Sequence, residues 1–300
     1  MRVDPSYITN LVGALDTAQG NEQQYSSELS GGVRVTSLST DPVAAGENVL
    51  LLNQIQQDDS FTSSADQVTG QLQVADSALG SVITQLTQAI SLATSANNGT
   101  MDASQVNAVG SELNGIRSEV MQLANTSYQG QYIFAGSLSS SAPYTSSTYS
   151  GDTDVNYLVT PNNQNIQLNV PGSQIFNGNG NASVSVFGAL DALISDYSNV
   201  TSTSQLNTDQ AAADTATLNA ALNWVSQQRV TIDNSINQLS SASSSATNEG
   251  TQLTAAQTDL MQADVGQVST QLSLAETQAT ALENVIAELG SGSLFDKLQY

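Results

Sequence analysis

The stretch Leu72-Gln73-Val74-Ala75-Asp76-Ser77-Ala78-Leu79-Gly80-Ser81-Val82-Ile83-Thr84-Gln85-Leu86-Thr87-Gln88-Ala89-Ile90-Ser91-Leu92-Ala93 decides the fold class. Leu72, Ala75, Leu79, Val82, Leu86, Ala89 and Ala93 recur at alternating steps of three and four, with Ile83 and Ile90 beside them. That spacing puts one apolar stripe on one side of an α-helix and defines a heptad seam. Asn97-Asn98-Gly99 ends it.

Working outward, the same period appears on both sides. Upstream, Asp4-Pro5 and Asp41-Pro42 each pair a capping carboxylate with a proline suited to the first helical position. The first opens a seam of Ile8, Leu11, Leu15, Ala18, Tyr25 and Leu29, with Glu22 its polar member, which Ser30-Gly31-Gly32 breaks. Residues 33–40 read as extended or looped, and a second helix then runs through Val49, Leu52 and Ile55. Downstream, Thr100 or Asp102 can cap a helix with Val106, Val109, Leu113, Ile116, Val120 and Leu123 inward. Helix returns near Ala211, with Leu218, Leu222, Val225, Ile232, Ile236 and Leu239 in phase and Arg229 at an inward position, where pairing with an acid is expected. The last seam is Met261, Val265, Val268, Leu272, Ala275, Ala279, Leu282, Ile286 and Leu289. It is offset by one residue from the pattern before it, a slip placed near Gly266, and Gly290-Ser291-Gly292-Ser293 stops it.

From Gly130 the character changes. Gln131-Tyr132-Ile133-Phe134-Ala135-Gly136 sets β-favouring residues between glycines, and Ser, Thr, Asn and Gly dominate as far as about Ser204. The apolar runs Tyr157–Val159, Ile166–Val170 and Val184–Phe187, separated by turn residues, predict short strands. Ala189–Tyr197 predicts one short helix. The expected architecture is mainly α: a long antiparallel helical bundle or coiled coil formed by both chain ends, with a small β-rich domain inserted in the middle. The expected boundaries are 1–42 for an N-terminal assembly helix and loop, 43–136 and 205–260 for the two parts of a helical rod, 137–204 for the β-rich outer domain, and 261–300 for a C-terminal assembly helix.

Composition narrows function. The apolar fraction is 39%, too low for one thick core but suited to slender bundles. The net charge is −22, and the basic residues Arg2, Arg34, Arg117, Arg229 and Lys297 are scattered. Nucleic acid and anionic membranes need clustered cations, so neither is an expected partner. With no Cys and no His, disulfides, thiol chemistry, imidazole bases and nearly all zinc sites are excluded. Asp152-Thr153-Asp154 begins like a calcium loop, but Tyr157 and Asn163 stand where it needs Gly and an acid. Asp58-Asp59 reads as a solvated helix face. Neither an enzyme nor a cofactor is expected. No window reaches membrane-spanning length, and Met1–Pro5 lacks the apolar stretch of a cleaved secretory signal.

Two matched ends carry a resemblance. Leu29-Ser30-Gly31-Gly32-Val33-Arg34-Val35-Thr36-Ser37 through Thr40-Asp41-Pro42, together with Gln278–Glu283 and Ser293-Leu294-Phe295-Asp296, resembles the signatures of the flagellin superfamily. This chain has Val33 where a Lys is usual and Thr40 in place of an Asp. Leu123-Ala124-Asn125-Thr126 followed by Gly130–Gly136 resembles the hook–filament junction branch of that superfamily; its filament subunits usually carry a different segment there. The residues that carry the motif are Gly31, Arg34, Asp41, Pro42, Tyr132, Ile133, Phe134 and Gly136.

The resemblance implies a structural subunit exported through the flagellar secretion channel without a cleaved signal, working outside the cell. It implies a homo-oligomer in contact with a neighbouring hook-associated junction protein, with flagellin, and with an export chaperone. The expected assembly seam is Ile8, Leu11, Leu15, Leu29, Val265, Val268, Leu272, Leu282, Ile286 and Leu289. The alternatives are a filament subunit and, in another class, a secreted adhesin or glycan-binding module on a helical stalk.

Overall fold

The structure is a computed structural model that describes residues 5–35, 39, 41–198, 200–201 and 205–291. Thr36–Leu38 and Thr40 of the N-terminal signature, Ser293–Asp296 of the C-terminal one, and the cap at Asp4 lie outside the described residues. Seven α-helices appear among the described residues: α1 (Pro5–Gly31), α2 (Pro42–Ala96), α3 (Ala103–Ala124), α4 (Gly172–Phe176), α5 (Val186–Tyr197), α6 (Thr208–Met261) and α7 (Val265–Ser291). Four short strands, β1 (Ser127–Tyr128), β2 (Gln131–Tyr132), β3 (Tyr157–Val159) and β4 (Asn165–Gln167), form two antiparallel hairpins. The chain divides into two compact units, residues 1–56 with 249–300 and residues 57–248; α2 and α6 contribute to both.

In the second unit, α2, α3, α5 and α6 share one apolar core. Leu79, Val82, Leu86, Ala89 and Ala93 of the defining stretch are completely buried, facing Leu113, Val120, Leu218, Val225 and Leu239. The two helices read around residues 49–55 and 72–93 are one helix of 55 residues. Nothing between them breaks it, because Phe61 and Ala65 continue the stripe inward. That phase also reaches Asp58, so the reading of Asp58 as solvated is corrected: it is 2% exposed, and only Asp59 faces solvent. Arg229 departs from its inward reading in the opposite direction. Gln228 takes the buried position beside it, and Arg229 reaches out to Asp76 of α2, Nε to Oδ1 at 2.5 Å. The expected acid partner is there.

α3 starts at Asp102, whose carboxylate accepts from Gln105 N while the Gln105 side chain accepts from Asp102 N, a closed capping box. Its backbone comes so close to the end of α5 that a methyl group on Gly110 would sit 2.8 Å from the Tyr197 carbonyl oxygen. The buried Tyr197 hydroxyl donates to the Ala93 carbonyl near the end of α2, which also accepts from Asn97 N, so the end of α5 is tied to the end of α2.

The region between β1 and α6 carries the two hairpins, but it is less stranded than its sequence suggests. Val184 ends a short 3-10 turn and Val186–Phe187 open α5, because the Ser185 hydroxyl between them accepts from Gly188 N and caps a helix there. Val186, Phe187, Leu190 and Leu193 then bury at helical spacing.

Candidate assembly site

In the first unit α1 and α7 lie side by side and antiparallel. Gln19 Nε2 donates to Glu283 Oε1, and beyond the other end of the pair Val33 bridges to Gln262 in antiparallel sense. Small residues make the tightest contacts: Ala18, Val268, Ala275 and Ala279 are buried. Leu11, Leu15, Tyr25, Leu272, Leu282, Ile286 and Leu289 are half-buried. Glu28 is buried with the Gln24 side chain donating to it at 2.8 Å, and it takes the place that the periodicity assigned to Leu29.

Of the seam residues picked from sequence, Ile8, Leu29 and Val265 thus point to solvent, at 43%, 37% and 57% exposure, and the rest face the partner helix. A second apolar set was missed: Tyr7, Val12, Leu274 and Val285 on the terminal pair, and Val43 and Leu50 on the first turns of α2, are all exposed, as are Val49 and Leu52, which the sequence had placed on the seam. The signal for it was available as apolar residues standing off the heptad positions.

The joint between these helices explains the N-terminal motif. α1 ends at Gly31, and Gly32 follows at φ +66°, a left-handed conformation that favours glycine. Of the two glycines, the backbone demand falls on Gly32. Its carbonyl accepts from Ala263 N at 3.0 Å, and Arg34 N donates to Met261 O at 2.7 Å. The Arg34 guanidinium donates to the Leu260 carbonyl at 3.3 Å and to Asp41 Oδ2 at 3.0 Å, setting a cation where the α6 carbonyls end. Asp41 Oδ1 accepts from Ala44 N, capping α2, and Pro42 occupies the first helical position. That N–H, with Arg34 beside it, holds the Asp41 carboxyl below its ordinary pKa. The phase slip read near Gly266 is a break between helices at 262–264. Asp264 restarts helix there by accepting from Gly266 N and Gln267 N, and Met261 belongs to α6.

The second motif segment lies in the other unit. Tyr132 is half-buried in β2, and Ile133 and Phe134 are buried. Phe134 meets Phe176 edge-on at 5.5 Å, and its carbonyl accepts from Gly172 N and the Tyr149 hydroxyl. Gly136 has φ +73°, and a methyl group there would collide with Asp152 Oδ1. Asp152 in turn accepts from the Ser137 hydroxyl and N–H, which lower its pKa. Asn125 clamps Tyr144 through both backbone groups, at 2.7 and 2.9 Å. Trp224 Nε1 donates to Gln174 O, tying α4 to α6. This segment therefore anchors the inserted region to the helices beneath it. Among the described residues there is no cluster of three metal-ligating side chains and no helix long and apolar enough to cross a membrane.

The site is thus a helical pair built from both chain ends, with rows of exposed apolar side chains. The family of the bacterial flagellin N-terminal helical region matches residues 9–139, a little under half of the chain. More particularly, the chain is similar over 306 residues, 96% of each chain, to flagellar hook-associated protein 3 of Escherichia coli (strain K12), at 25% identity. It is 30% identical over 175 residues to flagellar hook-associated protein 3 of Salmonella typhimurium, covering 57% of this chain and 55% of that one. Two solved structures from Legionella pneumophila share the fold. Flagellar hook associated protein-3 has a TM-score of 0.63 at 14% identity, over 70% of this chain and 98% of that one; the flagellar junction protein FlgL has 0.57 at 15%, over 72% and 100%. These matches support a structural protein of the bacterial flagellum, which is what the relatives it matches are.

Proposed function

We propose that this chain forms the junction layer between hook and filament, assembling with copies of itself through its terminal helices. The observation that carries the reading is the match to flagellar hook-associated protein 3 across 96% of both chains, insert included. The exposed apolar residues of α1, α7 and the start of α2 support the mechanism. An isolated pair leaves them in water; packing copies together removes that surface, and each fully buried Leu, Ile or Val contributes about 1.5–3 kcal/mol.

In this reading residues 1–42 and 261–300 are the assembly segments, 43–136 and 205–260 the rod, and 137–204 an outer domain facing solvent. The partners are further copies, the neighbouring hook-associated junction protein, flagellin, and an export chaperone. The chain works outside the cell, exported through the flagellar channel without a cleaved signal.

The test is assembly of the purified chain, alone and on isolated hooks, followed by electron microscopy and sedimentation. A short layer of fixed height that then accepts flagellin is expected. Filaments of unlimited length from this chain alone would make it a filament subunit instead.

A further inference from the structure

The sequence contains four Asn–Gly steps, at Asn98, Asn114, Asn177 and Asn179. At such a step the backbone nitrogen of the glycine can attack the Asn side-chain carbonyl carbon. A five-membered succinimide forms and ammonia leaves; water then opens the ring to an aspartyl or isoaspartyl residue. Glycine permits the approach because it lacks a Cβ, yet ring closure still needs a mobile carboxamide and a backbone free to leave its native dihedrals.

The fold treats the four steps differently. Asn114-Gly115 lies inside α3, where the Gly115 N–H belongs to the helical ladder. The Asn177 carboxamide accepts from the Tyr144 hydroxyl at 2.6 Å, and Gly178 is buried against Val184. Asn98, by contrast, is exposed just past the end of α2; its side chain makes no hydrogen bond among the described residues, and open space surrounds Gly99 at φ +69°. Asn179 is exposed at φ +54° beside an open Gly180, whose N–H donates to Asn177 O at 3.1 Å and slows this step relative to the first.

We propose that Asn98 and, more slowly, Asn179 are sites of spontaneous deamidation with water as co-reactant, while the fold protects Asn114 and Asn177. Each event adds a carboxylate to a chain already at −22. At Asn98 the new charge sits at the C-terminal end of α2, where a helix disfavours anions. The isoaspartyl product also lengthens the backbone of the α2–α3 turn, beside Asn97, whose Nδ2 holds the Thr208 carbonyl at 3.1 Å. Age would therefore loosen this end of the second unit first.

The experiment is incubation of the full chain in warm, mildly alkaline buffer, with peptide mapping for mass gains of about one dalton. In the folded chain Asn98 should convert at least about tenfold faster than Asn114 or Asn177. In denaturant the four rates should converge. An Asn98→Gln variant, whose longer side chain closes a ring far more slowly, should lose the earliest mass gain and keep the rest. If Asn114 or Asn177 keeps pace with Asn98 in the folded chain, or the four rates stay as far apart when unfolded, the proposal is wrong.

Discussion

The two units bury apolar surface in different ways. In the second, Leu72, Leu79, Leu86, Leu113, Leu190 and Leu193 are fully enclosed, and Tyr144, Phe134, Phe176 and Phe187 form an aromatic cluster at the insert. In the terminal pair the enclosed residues are mostly alanines, and the leucines are half in water. An alanine methyl contributes a fraction of what a leucine does. The second unit thus has the core of a self-sufficient fold, whereas the first keeps its larger side chains available for other surfaces. Heptad spacing runs through both, so regular spacing reports that a helix has an apolar side and says nothing of how deeply that side is buried.

Substitutions can break this contrast. The largest effect is expected from Leu79→Ala, which empties a completely buried site and should cost about 3–5 kcal/mol in the main unfolding transition measured with denaturant. Leu15→Ala in α1 should scarcely move that transition and should weaken assembly instead. Equal losses of stability from the two would erase the distinction between the units. Next comes Gly136→Ala, strained at φ +73° and in collision with Asp152; a loss of about 1–3 kcal/mol is expected, against almost none for Gly31→Ala, which has open space around it.

Arg34→Ala removes a half-exposed ion pair and the hydrogen bond to the Leu260 carbonyl. Screening by solvent keeps the loss small. Hydrogen exchange should rise at the end of α6 and the start of α2 while the second unit keeps its protection.

The smallest effect is a pH dependence within the second unit. Burial, and then the hydrogen bond and charge of Asp214, push Asp196 up to about 6 from an ordinary 3.8. The folded chain therefore holds a proton that the unfolded chain has released, so this group's contribution to stability grows as pH falls through about 6 toward 4 and is lost as pH rises again. Asp196→Asn should flatten the Tm profile in that window and raise Tm at pH 7; an unchanged profile would mean that neither burial nor Asp214 holds a proton on Asp196.

Much of the assembly site was legible because its devices are local. The Asp-Pro step at 41–42, the left-handed glycine after α1 and the three-and-four spacing act through neighbours a turn away, and a short window of sequence contains them. The partner of Arg34 was not legible, since the Leu260 carbonyl is 226 residues distant. The rows at Val12, Leu274 and Leu50 were missed because one helix face was assumed to hold all the apolar contact. Val184–Phe187 misled because three apolar residues in a run of four suit a strand or a helix equally; the Ser185 cap and the enclosed places of Phe187 and Leu190 chose the helix.

By itself the sequence determined that this protein is a set of long helices punctuated at Gly31-Gly32, at Asp41-Pro42, at Asn97-Asn98-Gly99 and by a slip near Gly266, because caps, prolines, glycines and heptads bias the backbone over a few residues at a time. The tertiary structure alone decided that Asp58 turns inward, that Arg229 leaves the core for Asp76, and that Glu28 displaces Leu29 between the terminal helices. Each of those outcomes depends on which distant surface arrives opposite a helix, and helical phase carries no information about that.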